Sequence, residues 1–157
     1  MKLEKKLAPM LLGLLVLMQF YRPKKNTSQG DHSAVFLAET NPPKKVMEVL
    51  TQTCYNCHSN HTNYPWYNNI APISYWLARD IKQGKTALNF SEWNGYSPKM
   101  KDRKLAAIKQ TVDSKKMPLQ SYLWAHRRLG LSQTERQAII SWAEQTRIFY
   151  ELNRRPE

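Results

Sequence analysis

The segment Cys54-Tyr55-Asn56-Cys57-His58 holds both cysteines of the chain, two residues apart, with a histidine directly after the second. At a helix end this spacing sets two thiols and an imidazole beside one another. Such thiols can add to the two vinyl groups of one porphyrin while the imidazole ligates its iron, which is the attachment pattern of c-type haem. Three other chemistries use similar residues. Zinc would take Cys54, Cys57 and His61, but a fourth ligand and the usual compact second pair are missing. A dithiol redox centre needs a thioredoxin-like order of strand and helix that is absent here. A structural disulfide at this spacing closes a tight loop and staples nothing distant. One covalently attached haem per chain, with His58 on its iron, is therefore the expectation.

The iron then needs a sixth ligand or an open face. Met117 precedes Pro118 in a loop between two expected helices, where a thioether reaches the far side of a porphyrin. Histidine paired with methionine raises the reduction potential of the iron, as in electron-carrying cytochromes. His126, beside Arg127 and Arg128, is the alternative ligand. His61 lies three residues after His58, on the same side of the iron, and His32 falls in a linker and takes no role. Met47 and Met100 read as packing residues.

The elements that must position these groups are helical. Val46, Val49, Leu50, Thr53 and Cys57 recur at helical spacing from Lys44, giving an amphipathic helix that ends in the cysteines. Ile73, Trp76, Leu77 and Ile81 give a second stripe, expected to stop near Gly84. Leu105, Ile108 and Val112 give a third, opened by Ser97 as N-cap and Pro98 at the first position. Ser132 and Glu135 form a capping box, after which Ala138, Ile139, Trp142, Ala143, Thr146 and Phe149 share one face. No alternating β-branched run competes and no repeat is present, so the expected class is all-α.

The N-terminus sets the compartment. Lys2, Lys5 and Lys6 precede an uncharged apolar run, Leu7 to Phe20, and Arg22, Lys24 and Lys25 come after it. That is the layout of an export signal or, uncleaved, of a membrane anchor, over residues 1–21. The run is shorter than the ~20 residues a spanning helix needs. Residues 22–41 read as a linker, 42–150 as the haem domain and 151–157 as a tail, with the domain on the periplasmic side. The chain has 157 residues and a net charge of +12. A positive balance of that size favours an anionic partner. The export-type start and the lack of any reader motif point away from nucleic acid. Lys99, Lys101, Lys104, Lys115 and Lys116, ahead of Met117, would ring an exposed porphyrin edge and steer an acidic redox partner.

Several stretches carry a resemblance: CYNCHSN (Cys54 to Asn60), YPWYNNIAPISYWLARD (Tyr64 to Asp80), LNFSEW (Leu88 to Trp93), MPL (Met117 to Leu119), and Tyr122 on through LSQTERQAIISWA (Leu131 to Ala143). Together they resemble the small bacterial haem-binding domain family with a single C-x-x-C-H motif, itself similar in plan to class I cytochromes c. The resemblance implies a small cytochrome c-like helical domain wrapped around its haem, its last helix crossing the first. It also implies that a proline carbonyl accepts the hydrogen bond of the proximal histidine, a place that Pro72 would take. Tyr64, Trp66, Tyr67, Tyr75, Trp76 and Trp93 would wall the porphyrin, with Trp93 or Arg79 donating to a propionate. The implied role is electron transfer without bond making, hence not an enzyme. A haem-based sensor with a displaceable sixth ligand is the alternative. A dihaem peroxidase would need a second motif.

Overall fold

A computed structural model describes residues 4–30 and 33–152, with the side chains of Glu4 and Lys5 left aside. His32 and residues 153–157 lie outside the described residues. The all-α expectation holds: the described residues form helices and turns, and their β pairing is a single bridge between Thr27 and His61. The helices are α1 (Glu4–Met18), α2 (Ala34–Thr40), α3 (Lys44–Val49), α4 (Tyr55–His58), α5 (Ile73–Ala87), α6 (Pro98–Asp113), α7 (Gln120–Ala125) and α8 (Gln133–Leu152).

The expected caps are present. Ser97 Oγ accepts the Met100 N–H at 3.3 Å, with Pro98 in the first turn of α6. Ser132 Oγ accepts the Glu135 N–H at 3.2 Å while the Glu135 carboxylate accepts the Ser132 N–H at 2.9 Å, a reciprocal pair that satisfies otherwise orphaned donors. α8 then packs against α6 and α3. Arg147 Nε donates to Asp102 Oδ1 at 2.7 Å between α8 and α6, and Lys109 pairs with Glu144 nearby. Ile139, Trp142, Ala143 and Thr146 are buried as expected, but Phe149 faces solvent and Tyr150 takes the inward place, one residue on.

The linker reading of 22–41 fails over its second half. Residues 34–40 are α2, and Phe36 is 0% exposed, with ring centroids 4.5 Å from Phe90, 5.0 Å from Trp93 and 6.0 Å from Trp142. Glu39 accepts from Lys101 Nζ at 2.7 Å and from Tyr150 Oη at 2.6 Å, and the Thr40 carbonyl accepts from Trp142 Nε1 at 3.1 Å. Seven residues are too few for a helical period to stand out, and a helix this short is held by tertiary burial rather than by propensity. Asn41, in the left-handed region at φ 37°, closes α2 before Pro42 and Pro43. At the other end α8 runs two residues into the expected tail.

α5 also departs from expectation: it continues through Gly84 to Ala87. A Cβ at Gly84 would lie 2.6 Å from the Cys57 carbonyl oxygen, so glycine is there to let α5 pass against α4. No described helix is long and apolar enough to cross a membrane. α1 nonetheless exposes Leu7, Met10, Leu11, Leu12, Leu14, Leu15, Val16 and Leu17 on every side.

Candidate haem site

The chain from Lys44 to His58 is one continuous right-handed helical path, α3 and α4 being joined by a π-helical turn over Leu50–Cys54. Such a turn rotates the residues beyond it relative to a regular helix, and turns of this kind recur at functional sites. Here Val46, Val49, Leu50 and Thr53 turn into the core. Cys54, Cys57 and His58 emerge half-buried on the wall of a cavity of about 300 Å³, within the range of ligand clefts.

The walls are overwhelmingly apolar: Leu50, Leu88, Phe90, Ile108, Val112 and Ile139 are among them. Met117, Pro118 and Leu119 close the side formed by the loop after α6, and Tyr122 of α7 adds a ring. The cavity therefore brings together the two thiols, the imidazole and the thioether, which are sixty residues apart in sequence between Cys57 and Met117. An apolar slot with two thiols, an imidazole and a thioether on its walls fits a haem.

His58 is oriented from behind. Its Nδ1 lies 3.1 Å from the Leu88 carbonyl oxygen. A carbonyl only accepts, so Nδ1 carries the proton and Nε2 keeps the lone pair a metal would use. Leu88 is where α5 ends, its backbone extended at φ −156°. Burial lowers the pKa of His58 and so favours the neutral ligating form, opposed by the hydrogen bonds to the Leu88 and Gly84 carbonyls. Burial pushes the Cys54 thiol up to about 12, with Cys57 adding to it, and the Cys57 thiol up to about 11, with Asp80 adding to it. In the polypeptide alone both sulfurs are neutral thiols near pH 7.

Other expectations need correction. The Pro72 carbonyl accepts from Tyr75 and Trp76 at the start of α5, and the role expected of it falls to Leu88. Arg79 is exposed, pairs with Asp80 at 3.2 Å and does not line the cavity; Asp80 does. Trp93 is 0% exposed and its Nε1 donates to Tyr150 Oη at 3.3 Å, so it belongs to the core behind Phe90. Tyr64, Trp66, Tyr67, Tyr75 and Trp76 also stand off the cavity, whose aromatic walls are Phe90 and Tyr122. His126 stacks on Tyr122 at 4.4 Å and lies within hydrogen-bond reach of Tyr67 Oη and the Tyr122 carbonyl, outside the cavity lining. Of the five lysines, Lys104 lines the cavity, while Lys101 is buried in its ion pair with Glu39.

Residues 13–145 match the model of the haem-binding domain family. The chain belongs to that family and is a haem-binding protein. No curated protein and no solved structure matches it.

Proposed function

We propose that the chain is a monohaem c-type cytochrome that carries electrons at the periplasmic side of the membrane. One haem is held covalently through Cys54 and Cys57, with His58 and Met117 on the iron. The observation supporting this most directly is the shared cavity, which takes in Met117 and leaves out His126. The packing of α8 against α3 agrees with the plan of class I cytochromes c.

A bound haem supplies a one-electron iron couple, and no bond is made or broken in the substrate. Everything else falls to the chain. The Leu88 carbonyl fixes the His58 ring and makes it a stronger donor. The loop Met117–Leu119 brings a thioether to the same cavity, and a methionine ligand raises the potential. Leu50, Phe90, Ile108 and Ile139 exclude water, which disfavours the more charged oxidation state. Lys104 on the rim and the exposed Lys99, Lys115 and Lys116 attract an acidic redox protein. Reduction by such a partner is expected to slow steeply as ionic strength rises, and a rate indifferent to salt would remove the steering role.

The decisive experiment is the absorption spectrum of protein matured in an oxidising compartment, taken natively and after denaturation in alkaline pyridine. A thioether-type haem signature is expected, with a methionine-to-iron charge-transfer band that disappears in Met117→Ala and survives in His126→Ala. Pigment extracted by acidified organic solvent would refute covalent attachment. Rapid, stoichiometric binding of carbon monoxide to the reduced protein would replace electron transfer by a ligand-sensing role with an open iron face.

A further inference from the structure

The apolar helix α1 ends docked on the domain. The Gln19 side chain donates to the Ala71 carbonyl at 3.2 Å and accepts the Ala71 N–H at 3.0 Å. Tyr75 Oη donates to the Met18 carbonyl at 2.6 Å and lies 3.2 Å from that of Tyr21, whose ring centroid is 5.9 Å from its own. Arg22 donates to Asn69 at 3.3 Å. Every one of these bonds reaches the short stretch 69–75.

Around that junction lie large apolar side chains that the core does not use. Trp66 is 77% exposed, Trp76 59% and Phe20 83%, and Tyr21, Ile70 and Ile73 are exposed as well. Single exposed apolar residues are ordinary. Here six such residues fall within 20–21 and 66–76, the two segments that meet at this junction, below a helix that is apolar from Leu7 on. Tryptophan and tyrosine with aliphatic neighbours are the composition of a bilayer interface, where one end of each ring is dry and the other wet.

We propose that this collar is a membrane-docking face. Phe20, Tyr21, Trp66, Ile70, Ile73 and Trp76 sit at headgroup depth around the emerging α1 and hold the haem domain in one orientation on the bilayer. The docking face rests on the placement of the chain at the membrane proposed for its electron-carrying role. Two observations select lipid as the occupant. The collar is continuous with α1, whose 15 residues span about 22 Å, short of the ~30 Å hydrocarbon core. A second membrane contact supplies apolar burial that so short a span lacks. Arg22, Lys24 and Lys25, next along the chain, match anionic headgroups. The match to the family begins at residue 13, inside α1. On α5, Trp76 in the collar and Asp80 on the cavity wall are four residues apart, about 6 Å of rise, which keeps the haem site near the membrane surface and its redox proteins.

The test uses the full holoprotein in vesicles of phosphatidylcholine and phosphatidylglycerol, with and without bromine on the phosphatidylcholine acyl chains near the headgroup. Bromine quenches tryptophan only within contact range of the lipid. Quenching is expected in the unmodified protein, falling by at least half in the double variant Trp66→Phe, Trp76→Phe. It should be unchanged in Trp124→Phe, which removes the 87% exposed tryptophan of α7. Absent quenching, as when a second protein covers the face or the domain swings free, overturns the proposal, as does a double variant quenched like its parent. The visible spectrum of the same samples separates this from the haem reading: pigment retained without quenching sinks the docking face alone. Quenching retained by a protein whose pigment washes out sinks the covalent haem alone.

Discussion

Phe90 separates two regions built from similar residues and finished differently. Behind it, Phe36 meets Trp93 and Trp142 edge to face, and the two indole N–H groups donate to Tyr150 Oη and the Thr40 carbonyl, Tyr150 donating in turn to Glu39. In front, the ring faces Tyr55 at 5.0 Å and His58 at 6.2 Å, and beyond them the cavity. Protein interiors pack to crystal-like density, so a slot walled by Leu50, Ile108 and Ile139 is a place the polypeptide does not fill by itself. The difference assigns the two faces separate duties: one sets the stability of the polypeptide, the other shapes the ligand. Substitutions on either side should therefore separate the two.

The largest effect is expected behind Phe90. Phe36→Ala removes a ring packed on three aromatic neighbours and should lower the unfolding free energy by about 3–5 kcal/mol, read as a shifted urea midpoint. Against a typical total of roughly 5–15 kcal/mol, that also lowers yield. A loss below about 1 kcal/mol would mean that α2 is the loose tether its sequence suggests. At the boundary, Gly84→Ala forces a methyl onto the Cys57 carbonyl and should destabilise by about 1–3 kcal/mol while lowering haem content per chain. Gly95→Ala, with nothing within 4 Å of the new methyl, should alter neither. On the cavity side, Tyr122→Phe keeps the ring and removes the acceptor of the Asn56 amide at 3.1 Å. About 0.5–1.5 kcal/mol should be lost with the absorption spectrum unmoved. A displaced spectrum would show that the hydroxyl shapes the site.

Legibility in the sequence divides along the same line. Side-chain chemistry is legible: the C-x-x-C-H segment and Met117 announce themselves by type and spacing, and the cavity does gather them. So are the Ser97 and Ser132 caps, because capping is a local bargain between neighbours in sequence. Leu88 is not, since it works through a backbone carbonyl that every residue owns, and nothing in its type sets it ahead of Pro72. Trp93 reads as a wall of the site because an aromatic side chain suits a porphyrin and a core equally. Only the position of Phe90 between them decides which it serves. Gly84 reads as a stop because a glycine that breaks a helix and one that lets a neighbour approach look the same before the neighbour is known.

The smallest effect concerns the start of α8, whose capping box follows Leu131 of the cavity lining without itself lining the cavity. Hydrogen bonds from the Ser132 hydroxyl and N–H hold the Glu135 carboxyl below the usual carboxylate range. A carboxylate with a depressed folded pKa contributes stability that is complete above its unfolded value, about 4.3, and lost as pH falls through the folded one. Glu135→Gln keeps the geometry of the box without the charge, so the wild type should exceed it only slightly at pH 7, with the gap closing as the solution is made more acidic than the ordinary carboxylate range. The haem spectrum of the two proteins should coincide throughout at neutral pH. Urea midpoints taken across this range test the sign: a gap that widens as pH falls would mean that the carboxylate is worse placed in the folded helix than in the unfolded chain, against the reciprocal bonds seen at Ser132.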